Sequence, residues 1–181
     1  MDKKIVILNG SPRPNGNTSM LAKAFTKGAE AAGNTVTSFF LDEMDINGCK
    51  GCFGGMGMVD SPCTQKDDME KIYPAYIEAD VVVLASPLYF WNFSGQLRTA
   101  FDRLFAVAES AAGTKHPKKD CVLLMVAGGN GFAEVASYYD TLIKNIGWRS
   151  LGTVLAGGMR SIGAIEDSAE LAVAEKLGAG I

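Results

Sequence analysis

A chain of 181 residues, 48% hydrophobic and 20% charged, can bury a core of its own as one domain, which excludes an intrinsically disordered protein. Its 17 basic and 20 acidic residues leave a formal net charge of −3, without the basic stripe that nucleic-acid binders carry. No apolar run approaches the ~18 residues of a bilayer span, and the stretch before Asn9-Gly10 is too short for a signal peptide. A cytoplasmic protein with no nucleic-acid or membrane partner is expected, its 4 cysteines kept as reduced thiols.

Ile5-Val6-Ile7-Leu8 is a short, unbroken apolar run ending at Asn9-Gly10. Its lack of alternation is the pattern of a strand covered on both faces. Leu21, Ala22, Phe25, Ala29 and Ala32 then recur at helical spacing. A weaker strand runs from Val36 to Leu41, followed by an irregular segment from Asp42 to Lys66. Loops that long are uncommon and tend to be functional. With Gly54, Gly55, Met56, Gly57 and Met58, this one is a candidate lid, or else a stretch without fixed structure. Asp67-x-x-Glu70 has the shape of a capping box, and Pro74, about two turns later, predicts a kink or break.

Val81 to Ala85 is a second buried strand, ending at Ser86-Pro87, and Leu97, Phe101, Leu104, Phe105 and Ala108 mark one helical face. Lys115-His116-Pro117-Lys118-Lys119 reads as a solvated loop. A third buried strand, Val122 to Ala127, ends at Gly128-Gly129. Phe132, Val135, Ala136, Tyr139, Leu142, Ile143 and Ile146 form the cleanest amphipathic stretch. Thr153 to Ala156 is a weak strand, and Glu166 to Leu177 a final helix. This β-α-β-α-β-α-β-α-β-α order, with right-handed crossovers, predicts an α/β fold. The expected form is a flavodoxin-like, three-layer doubly wound sheet of five parallel strands, order 2-1-3-4-5, with residues 1–181 as one domain.

Sheets of this kind bind ligands at the carboxyl ends of their strands. After the first strand, Asn9-Gly10-Ser11-Pro12-Arg13-Pro14-Asn15-Gly16-Asn17-Thr18-Ser19 leads into a helix N-terminus, a ready anion site. Ser11, Asn17, Thr18 and Ser19 add short neutral donors and Arg13 a cationic fork, a set suited to a terminal phosphate. The spacing matches neither a P-loop nor a dinucleotide fingerprint, and the plain alternative is a Pro/Gly turn capped by Asn17. The third strand ends in Ser86-Pro87-Leu88-Tyr89-Phe90-Trp91-Asn92-Phe93-Ser94, an aromatic loop suited to a flat heteroaromatic ring or to a subunit interface. Gly128 and Gly129 after the fourth strand allow close backbone approach or a tight turn.

Gly10-Ser11-Pro12-Arg13, Asn15-Gly16-Asn17-Thr18, Ser86-Pro87-x-Tyr89-Phe90 and Gln96-Leu97-Arg98 through Asp102-Arg103 together resemble the flavodoxin-like NAD(P)H-dependent FMN reductases, over nearly the whole chain. The resemblance implies non-covalent FMN, with Ser11, Arg13, Asn17, Thr18 and Ser19 on its phosphate. Pro87, Leu88, Tyr89, Phe90 and Asn92 would hold the isoalloxazine, helped by Gly128 and Gly129. It also implies a homodimer with the flavin near the interface, a tetramer being a further assembly open to it. Asp102 and Arg103 read as structural, through an ion pair or backbone hydrogen bonds.

Cys49-x-x-Cys52, Cys63 and the nearby Asp67-Asp68-Met69 resemble the iron–sulfur flavoprotein branch of the family. That branch places a third cysteine where Gly55 stands here, so the four-thiolate set of a [4Fe–4S] cluster is incomplete. Free thiols, a Cys49–Cys52 disulfide and a metal site are the three readings of this loop. Cys121 is expected in the core, and His116 is assigned no catalysis.

The resulting expectation is an FMN-dependent oxidoreductase. It takes a hydride from NAD(P)H and passes electrons to a small acceptor: a quinone, free flavin, nitro or azo compound, or metal oxyanion. No catalytic side chain is assigned, because the flavin carries the chemistry. The alternative is a flavodoxin-type electron carrier, which would usually have a phosphate loop without arginine and a strongly acidic surface. A receiver-type signalling domain would want an aspartate where Ser86 stands.

Overall fold

The computed structural model describes residues 2–55, 62–110 and 116–181. Strands β1 (Lys4–Asn9), β2 (Thr35–Phe40), β3 (Val81–Pro87), β4 (Asp120–Val126) and β5 (Arg149–Ala156) alternate with helices. These are α1 (Asn17–Ala31), α2 (Met69–Glu78), α3 (Gly95–Arg103), α4 (Phe105–Ser110), α5 (Ala133–Ile146) and α6 (Ala169–Ala179). The strands form one sheet in the order β2-β1-β3-β4-β5, every pair parallel. This is the expected doubly wound, flavodoxin-like order. Among the described residues no helix is long and apolar enough to cross a membrane.

The unbroken apolar runs fill both faces of the sheet because successive strand residues point to opposite sides. Ile5, Ile7, Val81, Val83, Val122 and Leu124 pack under α1 and α6, while Val6, Leu8, Val82, Leu84, Leu123 and Met125 pack under α2, α3 and α5. Two glycines let α1 and α6 meet. A β carbon on Gly28 would lie 1.9 Å from the Glu175 carbonyl oxygen, and one on Gly178 2.2 Å from that of Phe25.

Three expectations change. The helix over Leu97–Ala108 is two helices, parted at Leu104. Pro74 does not break α2: it lies on the exposed side of the helix, while Met69, Ile72, Tyr73 and Tyr76 are locked into the core. Asp67 and Glu70 do not form a capping box. Glu70 pairs with Lys66 at 3.0 Å, and the Asp67 carboxylate is taken by Arg103 from α3.

The segment after β2 opens with a 3-10 turn, Leu41–Glu43, and is then tied down. The N–H groups of Asp45 and Asn47 donate to Asp68 Oδ2 (2.9 Å) and Asp67 Oδ2 (3.1 Å), and Gln65 Nε2 to the Gly48 carbonyl (3.0 Å). Its described part packs on α3 and α4 around Arg103, Phe105 and Ala106. Met56, Gly57 and Met58 of the expected lid lie outside the described residues, as does Lys115 of the basic loop.

Candidate functional site

At the carboxyl ends of β1, β3, β4 and β5 the loops border an open cleft. Ser11, Pro12, Arg13, Gly16, Asn17 and Thr18 line it from the first loop. Pro87, Leu88 and Tyr89 come from the end of β3, Val126, Ala127 and Gly128 from that of β4, and Met159 from beyond β5.

The first loop is held by its own polar side chains. Asn9 Oδ1 accepts from the Ser11 N–H (3.1 Å), and the Ser11 and Ser19 hydroxyls both donate to the Arg13 carbonyl (2.9 and 2.8 Å). Asn9 Nδ2 donates to Ser19 Oγ at 3.0 Å. Ser19 therefore shapes the loop and does not line the cleft. The Met20 N–H bonds the Gly16 carbonyl at 3.0 Å, which leaves the N–H groups at the head of α1 in the position of orphan donors. No acidic side chain occupies that turn, and Arg13 is exposed without a carboxylate partner among the described residues. Net positive potential gathers there.

Gly10 has a packing reason. A β carbon there would lie 2.5 Å from Ser94 Oγ and 2.7 Å from Leu97 Cβ. Ser94 caps α3 by accepting from the Leu97 N–H (3.3 Å), and its hydroxyl donates to the Gly10 carbonyl (2.7 Å). The first loop and the aromatic loop are thus fastened together. Leu88 N–H donates to the Val126 carbonyl at 2.8 Å, which lays the aromatic loop over the end of β4. Phe90 and Asn92 stand outside the cleft on exposed chain, and the Asn92 side chain accepts from the Phe93 N–H at 2.8 Å. A β carbon on Gly129 would meet nothing within 4 Å, so this part of the β4 loop faces open space.

Sequence reasoning missed the wall after β5. Met159 lines the cleft, its N–H bonded to the Ala127 carbonyl at 2.9 Å. The Ser161 carbonyl accepts from Asn17 Nδ2 at 2.8 Å. Gly157-Gly158 at a strand's carboxyl end was the available signal, the same one that marks Gly128-Gly129.

The model of the family described as NADPH-dependent FMN reductase matches residues 3–159. The chain belongs to this family. Membership carries FMN as cofactor with NAD(P)H as co-substrate. An iron-sulfur flavoprotein of Archaeoglobus fulgidus is 32% identical over 156 residues, covering 86% of this chain and 69% of that protein. One of Methanocaldococcus jannaschii is 34% identical over 100 residues, 55% of this chain; the chain spans about half (51%) of that relative's length. An NAD(P)H:quinone oxidoreductase from Methanothermobacter marburgensis superposes with a TM-score of 0.77 at 19% identity, over 99% of this chain and 97% of that one, which speaks for the fold.

The cleft fits an FMN reductase. Orphan helix donors and Arg13 suit a phosphate, and Asn17 Oδ1 is buried beside them without a partner. A four-thiolate cluster does not fit. Cys49, Cys52 and Cys63 share one small cavity against α3 and α4, but a β carbon on Gly55 would lie 1.9 Å from the Pro62 carbonyl oxygen. Cys121 is buried in β4, its thiol pushed up to about 12 chiefly by burial. The described residues hold no cluster of three or more His, Cys, Asp or Glu able to take a metal.

Arg103 is structural, as expected, although its partner is Asp67. Asp102 pairs with Arg98 at 2.9 Å on the surface. His116 packs on the Phe105 ring at 6.0 Å, its pKa lowered by burial, away from the cleft.

Proposed function

We propose that this chain, as one FMN-binding domain, oxidises NAD(P)H and passes the electrons to a small acceptor, with quinones, free flavins, nitro or azo compounds and metal oxyanions as the acceptor classes. The observation that carries the reading is the cleft itself. It joins a helix N-terminus with a free arginine to an aromatic loop, across the carboxyl ends of a parallel sheet.

In this reading Arg13, Thr18 and the N–H groups at the head of α1 hold the FMN phosphate, with Ser11 and Ser19 shaping the loop. Asn17, expected on the phosphate, ties this loop to the wall after β5 through the Ser161 carbonyl. Pro87, Leu88 and Tyr89 flank the isoalloxazine, with Phe90 and Asn92 at the loop's outer edge. Gly128 and Gly129 let the backbone approach the ring edge. The bound flavin supplies hydride acceptance and donation. The protein supplies position and fixed dipoles, so an assigned acid or base is not required. A homodimer that covers the open side of the cleft is part of the proposal, with a tetramer as a further assembly.

The test is an anaerobic visible spectrum of FMN-loaded protein before and after NADH or NADPH. Rapid bleaching of the flavin band is expected. A flavin that stays oxidised with both nucleotides yet bleaches with dithionite would overturn the reading in favour of an electron carrier.

A further inference from the structure

Cys49, Cys52 and Cys63 line one cavity of about 40 Å³, too small for an organic substrate but roomy enough for a molecule little larger than water. All three thiols are free, and they differ in access. Cys63 is buried, with its Sγ 3.4 Å from Arg103 Nη2, whereas Cys49 and Cys52 are exposed. The function proposed above uses none of them.

The loop is shaped around Cys52. Its two neighbours, Gly51 and Phe53, both have left-handed backbone, with φ of 58° and 50°. Glycine adopts that conformation freely, whereas phenylalanine is strained in it, and such strain gathers at functional sites. The Phe53 ring stays 65% exposed and meets Phe105 of α4 edge-on, centroids 6.3 Å apart. The bend folds Cys49 back: its Sγ accepts from the Gly51 N–H at 3.4 Å, against the residue that precedes Cys52. Cys52 Sγ has Thr64 Oγ1 at 3.6 Å, and a β carbon on Gly54 would lie 3.3 Å from the sulfur. The Thr64 hydroxyl and the Gly54 N–H favour its thiolate. The charged groups of the lining are Lys50, Glu109 and the Asp67-matched Arg103. An accessible sulfur with donors on it and a second thiol folded toward it is the arrangement of reversible cysteine oxidation. Cys121, enclosed in β4, is the opposite case.

We propose that Cys49 and Cys52 are a peroxide-reactive dithiol, in which Cys52 attacks a hydroperoxide and Cys49 resolves the product as a disulfide. The Cys52 thiolate attacks one peroxide oxygen and the O–O bond breaks. The hydroxide that leaves takes up the proton lost by the thiol and departs as water, and Cys52 is oxidised to a sulfenic acid. Cys49 then displaces the hydroxyl, an S–S bond forms and a second water leaves. Two thiols thus give two electrons and two protons to one peroxide. The ring that closes spans only two residues, and left-handed Gly51 supplies its bend. A small thiol reverses the oxidation by exchange.

The test treats the reduced protein with hydrogen peroxide and maps the products by peptide mass spectrometry. A Cys49–Cys52 disulfide is expected, with Cys63 and Cys121 still thiols and full reversal by dithiothreitol. Cys49→Ser should stop at the sulfenic acid and take dimedone on Cys52. Cys52→Ser should consume peroxide about tenfold more slowly or less, with Cys49 left as a thiol. Both variants change exposed side chains, so their melting temperatures should match the parent. A Cys52–Cys63 disulfide, dimedone on Cys49 or Cys63, or an unchanged rate in Cys52→Ser would overturn the proposal. Oxidised glutathione reacting as fast as hydrogen peroxide would overturn the choice of oxidant. None of these readouts needs flavin or nucleotide, so the oxidoreductase reading and this one stand or fall separately.

Discussion

Replacing Asp67 by asparagine removes one charge and almost no volume. Arg103 and Asp67 have side chains only 1% and 2% exposed, joined as a fork: Nη1 to Oδ2 at 2.6 Å and Nη2 to Oδ1 at 3.1 Å. The carboxylate also accepts the N–H groups of Asn47 (3.1 Å) and Met69 (3.2 Å). Burial pushes its pKa up, but the Arg103 fork and these N–H groups outweigh that and hold it below the ordinary range. Asparagine keeps one acceptor and leaves the guanidinium buried without a counter-charge, at a cost of about 3–5 kcal/mol. That is a large share of a total stability of about 5–15 kcal/mol. For a chain of this size it lowers Tm by roughly 6–20 °C. The assay is calorimetry on FMN-free protein, because bound ligand adds its own stabilisation by mass action. The double variant Asp67→Leu, Arg103→Met should recover most of the loss. The sign with pH follows from the lowered carboxyl pKa. The pair's contribution is present above the unfolded value of ~4 and is lost as pH falls through the folded value, so parent and variant should converge in acid. An Asp67→Asn Tm within about 2 °C of the parent at neutral pH would refute the reasoning.

Arg13→Ala should weaken FMN binding by about 2 kcal/mol through loss of a charge-assisted contact; an unchanged Kd in a flavin-fluorescence titration removes Arg13 from the site. The Thr64 hydroxyl at 3.6 Å from Sγ and the Gly54 N–H lower the Cys52 thiol pKa below its ordinary 9.0, so its thiolate appears at lower pH than that of Cys121. Iodoacetamide labelling with peptide mapping should then give a Cys52 rate midpoint below pH 9.0, and a midpoint above it would show that these donors do not act on the thiolate. Gly55→Cys restores the cysteine spacing of the iron–sulfur branch but forces a β carbon against the Pro62 carbonyl; anaerobic reconstitution with iron and sulfide should yield no cluster absorption, and a cluster-bearing product would show that this backbone yields.

β1, β3 and β4 were legible because each is buried on both faces, so nearly every position is apolar and the pattern is unbroken. β5 was underread. It begins at Arg149, whose side chain forks onto Asp120 at 2.8 and 2.7 Å, and a register shift opposite Cys121/Val122 interrupts its pairing. An edge strand covered less fully shows no such run. Asp67-x-x-Glu70 misled for a different reason. A capping box is a local pattern, whereas the group that claims Asp67 lies 36 residues away, and nothing within four residues of an aspartate reveals a distant guanidinium.

The cleft was legible for a topological reason: once the strand order is known, the loops after β1, β3 and β4 must meet at one end of the sheet. What each polar side chain does there was not. Counting donors in the first loop treats Ser11, Arg13, Asn17, Thr18 and Ser19 as five groups facing a phosphate. Two of those hydroxyls are already spent on the Arg13 carbonyl and one amide on Ser161. The positive potential therefore rests on Arg13 and on the backbone N–H groups at the head of α1, which no residue count can show. The aromatic loop carries the same lesson in reverse. Its composition announces a ring-binding loop, but Phe90 and Trp91 occupy turn positions that local rules reserve for asparagine and glycine. A sequence that breaks a local rule without gaining burial marks a place where folding and function pull apart.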